Sequence, residues 1–184
     1  MEPRLLTKRP ESRFFEPGWT YLTPENTFIV IEGRNPDKFE GIVDKTNHRI
    51  VLMFPPGAGP DAKPRLTEWV NKVLDKYARF HAAGILIPMA EELAQRLGVK
   101  PADLGISYGQ RVLGRCNCRG EILLSRNLVF YPSELREFVI AHEFAHLTHL
   151  DHSPEFYSLL DCYLGGRHKE LNFAFKSFKL PFIK

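Results

Sequence analysis

Phe138-Val139-Ile140-Ala141-His142-Glu143-Phe144-Ala145-His146-Leu147-Thr148-His149-Leu150-Asp151-His152 is the stretch around which the rest of the chain has to be arranged. Its centre, His142-Glu143-Phe144-Ala145-His146, has the form H-E-x-x-H. Four residues along a helix make roughly one turn, so both imidazoles lie on one face and can reach one metal ion. Glu143 sits about 100° round from His142, beside such an ion, where a carboxylate can hold and deprotonate a water. Pro132-Ser133-Glu134 opens the helix, and Leu135, Phe138, Val139 and Ala145 share a broad inward stripe with His142, His146 and His149. The histidines therefore replace core residues.

A catalytic zinc takes three protein ligands and keeps a fourth position open, so the motif needs another donor. His152 is the leading candidate: it follows His146 by six residues, and Asp151 can turn the chain back over the same ion. His149 would share the stripe if the helix continued, but it lies too far along to chelate the same metal, and is expected near the site or packed. The expected metal ligands are thus His142, His146 and His152, with Glu143 as general base and one zinc ion, although histidine ligands also accept other first-row divalent metals. Such a site suits hydrolysis, of peptide bonds first. Arg115, Asn117, Asn127 and Tyr157 are polar candidates for the further donors that an oxyanion needs.

Beyond His152, Ser153-Pro154 starts a further helix through Phe156, Tyr157, Leu159 and Leu160, which the Gly165-Gly166 pair stops. Upstream, β-branched and aromatic residues at 28–32, 41–43 and 49–54 predict strands, with a hairpin across Asp44 to His48. The run Pro55-Pro56-Gly57-Ala58-Gly59-Pro60 ends that sheet. Leu66, Trp69, Val70, Val73, Leu74, Tyr77 and Ala78 recur at three- and four-residue intervals, predicting one helix between Pro64 and Ala83. A second runs from about Ile85 to Leu97 and stops at Gly98. Short strands are expected over 104–130. The tail 171–184 reads as an edge strand, because its apolar residues recur mostly at two-residue intervals, and residues 1–25, with prolines at 3, 10, 17 and 24, read as an irregular arm. The expectation is a single α+β domain over 1–184.

The metzincin pattern H-E-x-x-H-x-x-G-x-x-H is close, but His149 takes its glycine position and no methionine follows Met89. Over roughly residues 40–165 the chain more closely resembles the YgjP-like family of zincin-type metal-dependent hydrolases, related to the SprT-like peptidases. The resemblance lies in Leu113-Gly114-Arg115-Cys116, in Gly120-Glu121-Ile122-Leu123-Leu124-Ser125-Arg126-Asn127-Leu128, in Pro132, and in the block from Phe138 to Tyr157. In that family the block looks like W-G-S-C, a strand, the metal helix and H-S-x-x-F-W. Here Leu113 stands for the tryptophan, Arg115 for the serine and Tyr157 for the last aromatic. The resemblance implies a zincin-like α+β fold: an N-terminal hairpin region, helices, a small sheet, the H-E-x-x-H helix and a following C-terminal helix. It also implies His142, His146 and His152 as ligands and Glu143 as base, in agreement with the spacing.

With 43% hydrophobic and 26% charged residues the chain is too apolar for general disorder. Its apolar runs fall short of the roughly 20 residues that span a bilayer, and Met1 to Pro10 lacks the apolar block of a secretory leader, so no membrane partner and a cytoplasmic location are expected. Cys116, Cys118 and Cys162 are an odd number, which favours reduced thiols, and the single-residue spacing of the first two lacks the second pair of a structural zinc site. A net charge of +3 permits a nucleic-acid partner without demanding one. The expected partner is a peptide or other hydrolysable substrate. The alternatives are hydrolysis of a nucleotide phosphoanhydride, or a non-catalytic nucleic-acid-associated module with a structural metal, to which the basic Arg4, Lys8, Arg9, Lys176, Lys179 and Lys184 would contribute.

Overall fold

The structure, a computed structural model, describes residues 14–57, 62–109 and 112–182. The arm's first thirteen residues, with Arg4, Lys8 and Arg9, lie outside the described residues, as do Ala58 to Pro60 of the proline–glycine run and Lys184. The architecture is α+β. The chain divides into two compact units, 1–77 with 179–184, and 78–178.

The first unit holds a four-stranded sheet of β1 (Thr20–Leu22), β2 (Thr27–Glu32), β3 (Glu40–Asp44) and β4 (Arg49–Phe54), in the order β1-β2-β4-β3. The β3–β4 hairpin follows the sequence expectation: Asp44 accepts from the backbone and side chain of Asn47 at 3.1 and 2.7 Å, closing a turn of the Asx type. β2 and β4 run parallel with Phe28 opposite Ile50 and Val30 opposite Leu52, so the alternating apolar set faces one side and is buried. Leu66, Val70, Leu74 and Tyr77 from the first half of helix α1 (Ala62–Leu97) are buried in the same unit, Tyr77 edge-on to Phe28 at 5.0 Å.

Residues 14–25 depart from the expected irregular arm. β1 pairs antiparallel with β2, and Phe15, Trp19 and Tyr21 are buried, with Phe15 edge-on to Trp19 at 4.7 Å. Pro17 and Pro24 flank β1 at turns, so they end an element without preventing it.

The second unit takes the other half of α1, which continues unbroken where two helices were expected. Ala78, Ala82, Leu86 and Ala90 keep a four-residue spacing across Gly84 and are each 0% exposed, so one apolar stripe stays in phase. Its burial outweighs the roughly 1 and 3 kcal/mol that Gly84 and Pro88 cost inside a helix. Gly98 ends the helix as predicted, in the left-handed region at φ 67°, with the Val99 N–H donating to the Ala94 carbonyl.

A three-stranded sheet follows, β5 (Asp103–Ser107), β6 (Gly114–Cys116) and β7 (Glu121–Ser125), ordered β5-β7-β6, then a 3-10 turn over Arg126–Phe130. Helices α2 (Ser133–Ala145), α3 (Pro154–Tyr163) and α4 (His168–Ser177) complete the unit. α4 corrects the edge-strand reading of the tail. Leu171, Phe173 and Phe175 lie at alternate spacing, but Leu171, Phe175 and Phe178 lie at helical spacing; Leu171 is buried, while Phe175 and Phe178 pack on Tyr131 at 5.7 and 4.6 Å. Packing favoured the helical period, and Phe173 points out to solvent. Among the described residues no helix is long and apolar enough to cross a membrane.

Candidate metal centre

α2 starts at Ser133 just after Pro132 and buries Leu135, Phe138, Val139, Ile140, Ala141, Phe144 and Ala145. Buried Arg136 anchors its first turns by donating to the carbonyls of Leu128, Val129 and Tyr131 at 3.0, 2.6 and 2.8 Å, which joins the helix to the 3-10 turn before it. His142 and His146 lie one turn apart at the C-terminal end, His146 being the capping residue. The helix does not continue through His149. Leu147 and Thr148 close tight turns onto Phe144 and Ala145, and the chain reverses into α3, whose first residues Ser153 caps by accepting from the Phe156 N–H. That reversal brings His152 back to the helix.

The three imidazoles form a triangle with ring centroids 4.9 Å (His142–His146), 5.1 Å (His142–His152) and 4.7 Å (His146–His152) apart. One nitrogen from each lies within 4.8 Å of the others, and the Nε2 atoms of His142 and His152 are 3.1 Å apart. Zinc–nitrogen bonds of about 2.1 Å at tetrahedral angles would place ligand nitrogens about 3.4 Å apart, so the donor set fits a single divalent ion. Phe156, 0% exposed, forms an apolar floor with its ring 5.0, 4.6 and 4.7 Å from those of His142, His146 and His152. His146 Nδ1 lies 2.9 Å from the His149 carbonyl, which accepts the ring proton and leaves Nε2 as the free donor. His149 thus serves through its backbone.

Burial pushes His142 down to about 4, helped by repulsion from His146, His152 and His168, so its imidazole is neutral and its lone pair available at ordinary pH. Glu143, 5% exposed, turns from the histidine face toward β6, where the Cys116 backbone N–H acts on its carboxylate. Burial raises Glu143 to about 7 and that N–H pulls the other way; a cation held by the imidazoles would lower it further. Burial, with the Glu143 charge, likewise raises the Cys116 thiol.

The four polar candidates separate. Asn117 is spent on the β6–β7 turn, accepting from the Arg119 and Glu121 N–H groups and donating to the Glu121 carboxylate. Asn127 is buried in the 3-10 turn. A side chain at 114 would point at Glu143, so Arg115, on the opposite face of the strand, points away. Tyr157 stays beside the triangle, its ring 6.1 Å from His152 and 5.3 Å from His168. Sequence reasoning read Phe156 only as an apolar residue of the next helix within the H-S-x-x-F-W pattern, and passed over the His149 carbonyl and the Cys116 N–H. Only Phe156 left a signal, three residues after a capping serine.

A sequence model of the YgjP-like metallopeptidase domain matches residues 44–175, most of the chain, including β4, the three histidines and α4 as far as Phe175. The chain belongs to the YgjP-like family. As a YgjP-like domain it carries the outline of a metal-dependent hydrolase of the peptidase type, and three histidines placed to hold the metal. No curated protein and no solved structure matches it.

Proposed function

We propose that the protein is a zinc-dependent peptidase in which His142, His146 and His152 hold the metal and Glu143 is the general base. The observation that carries this reading is the convergence of three imidazole nitrogens within 4.8 Å, with the next residue of the same helix presenting a buried carboxylate. Zinc in such a site supplies a Lewis acid that acidifies water and polarises the scissile carbonyl. Glu143 takes the water proton on its carboxylate and returns it to the leaving amine nitrogen. Phe156 excludes water from beneath the imidazoles, and the His149 carbonyl keeps the His146 ring in one tautomer.

Elemental analysis of the purified protein beside His146→Ala, with cleavage of an unfolded protein substrate beside Glu143→Gln, tests the reading. One equivalent of zinc, lost in His146→Ala, is expected, together with cleavage that Glu143→Gln lowers by about 10²–10⁴-fold without losing metal. Protein that stays empty after incubation with zinc would overturn it. Zinc-loaded protein that released phosphate from nucleoside triphosphates and cut no peptide would move the reading to phosphoanhydrides.

A further inference from the structure

Glu143 is supported from outside its own helix. A Cβ placed on Gly114 of β6 would lie 2.6 Å from the Glu143 Cγ and 2.7 Å from its Cδ, and would overlap Oε1. Carbon atoms in contact sit about 3.5–4.0 Å apart, so no other residue fits at 114 while the carboxylate stays where it is. Backbone conformation does not require this glycine: Gly114 is absent from the positive-φ glycines, Gly18, Gly57, Gly98, Gly120, Gly165 and Gly166. Nor can β6 easily retreat. On its other side it is hydrogen-bonded to β7, with Gly114 opposite the fully buried Leu124 and the Ser125 N–H donating to the Leu113 carbonyl at 2.8 Å.

We infer that Gly114 is a positioning residue for Glu143: its bare backbone lets the carboxylate lie close against β6. The catalytic part of this inference rests on the proposed role of Glu143 as base; the packing part does not. A methyl group at 114 moves the carboxylate, because the strand is held and the Glu143 side chain is the flexible partner.

Two measurements on the full chain test it. Gly114→Ala is expected to keep its zinc equivalent and its KM while kcat falls about 100-fold, the scale of an ångström of misplacement at a reacting group. A kcat near that of the wild type would overturn the positioning role. Denaturant midpoints are then compared for the wild type, Gly114→Ala, Glu143→Ala and the double variant. Gly114→Ala should lower the midpoint when Glu143 is present and leave it unchanged when residue 143 is alanine, because the overlapping atoms are gone. An equal drop in both backgrounds would overturn the inference. If the wild type cleaves nothing, the peptidase reading fails, and the midpoints still decide whether Gly114 accommodates Glu143.

Discussion

Phe156 does for the histidines what a ligand list leaves out. Its ring lies within 5.0 Å, centroid to centroid, of all three imidazoles and is wholly buried. Phe156→Ala should cost about 3–5 kcal/mol in denaturant unfolding. It should also weaken zinc binding in a competition titration, since the rings lose the surface that holds their angles. Unchanged zinc affinity in a folded variant would show that the imidazoles are oriented by α2 and the His149 carbonyl alone. The histidines themselves were legible beforehand, because H-E-x-x-H expresses a helical period within five residues. Gly114 was not: its reason for being glycine lies 29 positions away, at Glu143, and local sequence carries no trace of such a pairing.

Helix α1 shows where local propensity misleads. Two helices were expected to part at Gly84, with Pro88 inside the second, yet Ala78, Ala82, Leu86 and Ala90 keep one face buried through both positions. Gly84 is exposed, and a Cβ there meets nothing within 4 Å. Gly84→Ala is accordingly expected to stabilise the protein by about 0.5–1 kcal/mol, seen as a higher thermal midpoint; a lower one would mean that the helix is not continuous there. At α2 the device is a buried cation. Replacing Arg136 by methionine leaves the Leu128, Val129 and Tyr131 carbonyls without their guanidinium donor and should cost roughly 3 kcal/mol. A neutral result in urea unfolding would show that those carbonyls have other donors. α4 was misread for a simpler reason: Leu171, Phe173 and Phe175 satisfy a two-residue period, Leu171, Phe175 and Phe178 a helical one, and only the packing against Tyr131 and Phe138 chooses between them.

All three proposed ligands fall between residues 142 and 152, inside the second compact unit. A ligand that binds only the folded form stabilises it, by about 4 kcal/mol at a thousandfold excess over Kd. Chelator treatment is therefore expected to raise amide exchange through residues 146–160, where the turn and the start of α3 are tied by the histidines. The β2–β4 ladder of the first unit, which contains no ligand, serves as the internal reference. Equal loss of protection in both would place the effect of the metal elsewhere. The turn from α2 into α3 has one more consequence. Ligands, apolar floor, serine cap and the carbonyl that fixes His146 all come from one short segment, His142 to Phe156, whose ends close at little entropic cost. The brace of Glu143 comes from β6, a distant part of the chain. Gathering the imidazoles needs only neighbours in the chain, whereas aiming the carboxylate needs the completed sheet, so the two halves of the chemistry answer to different parts of the folding reaction.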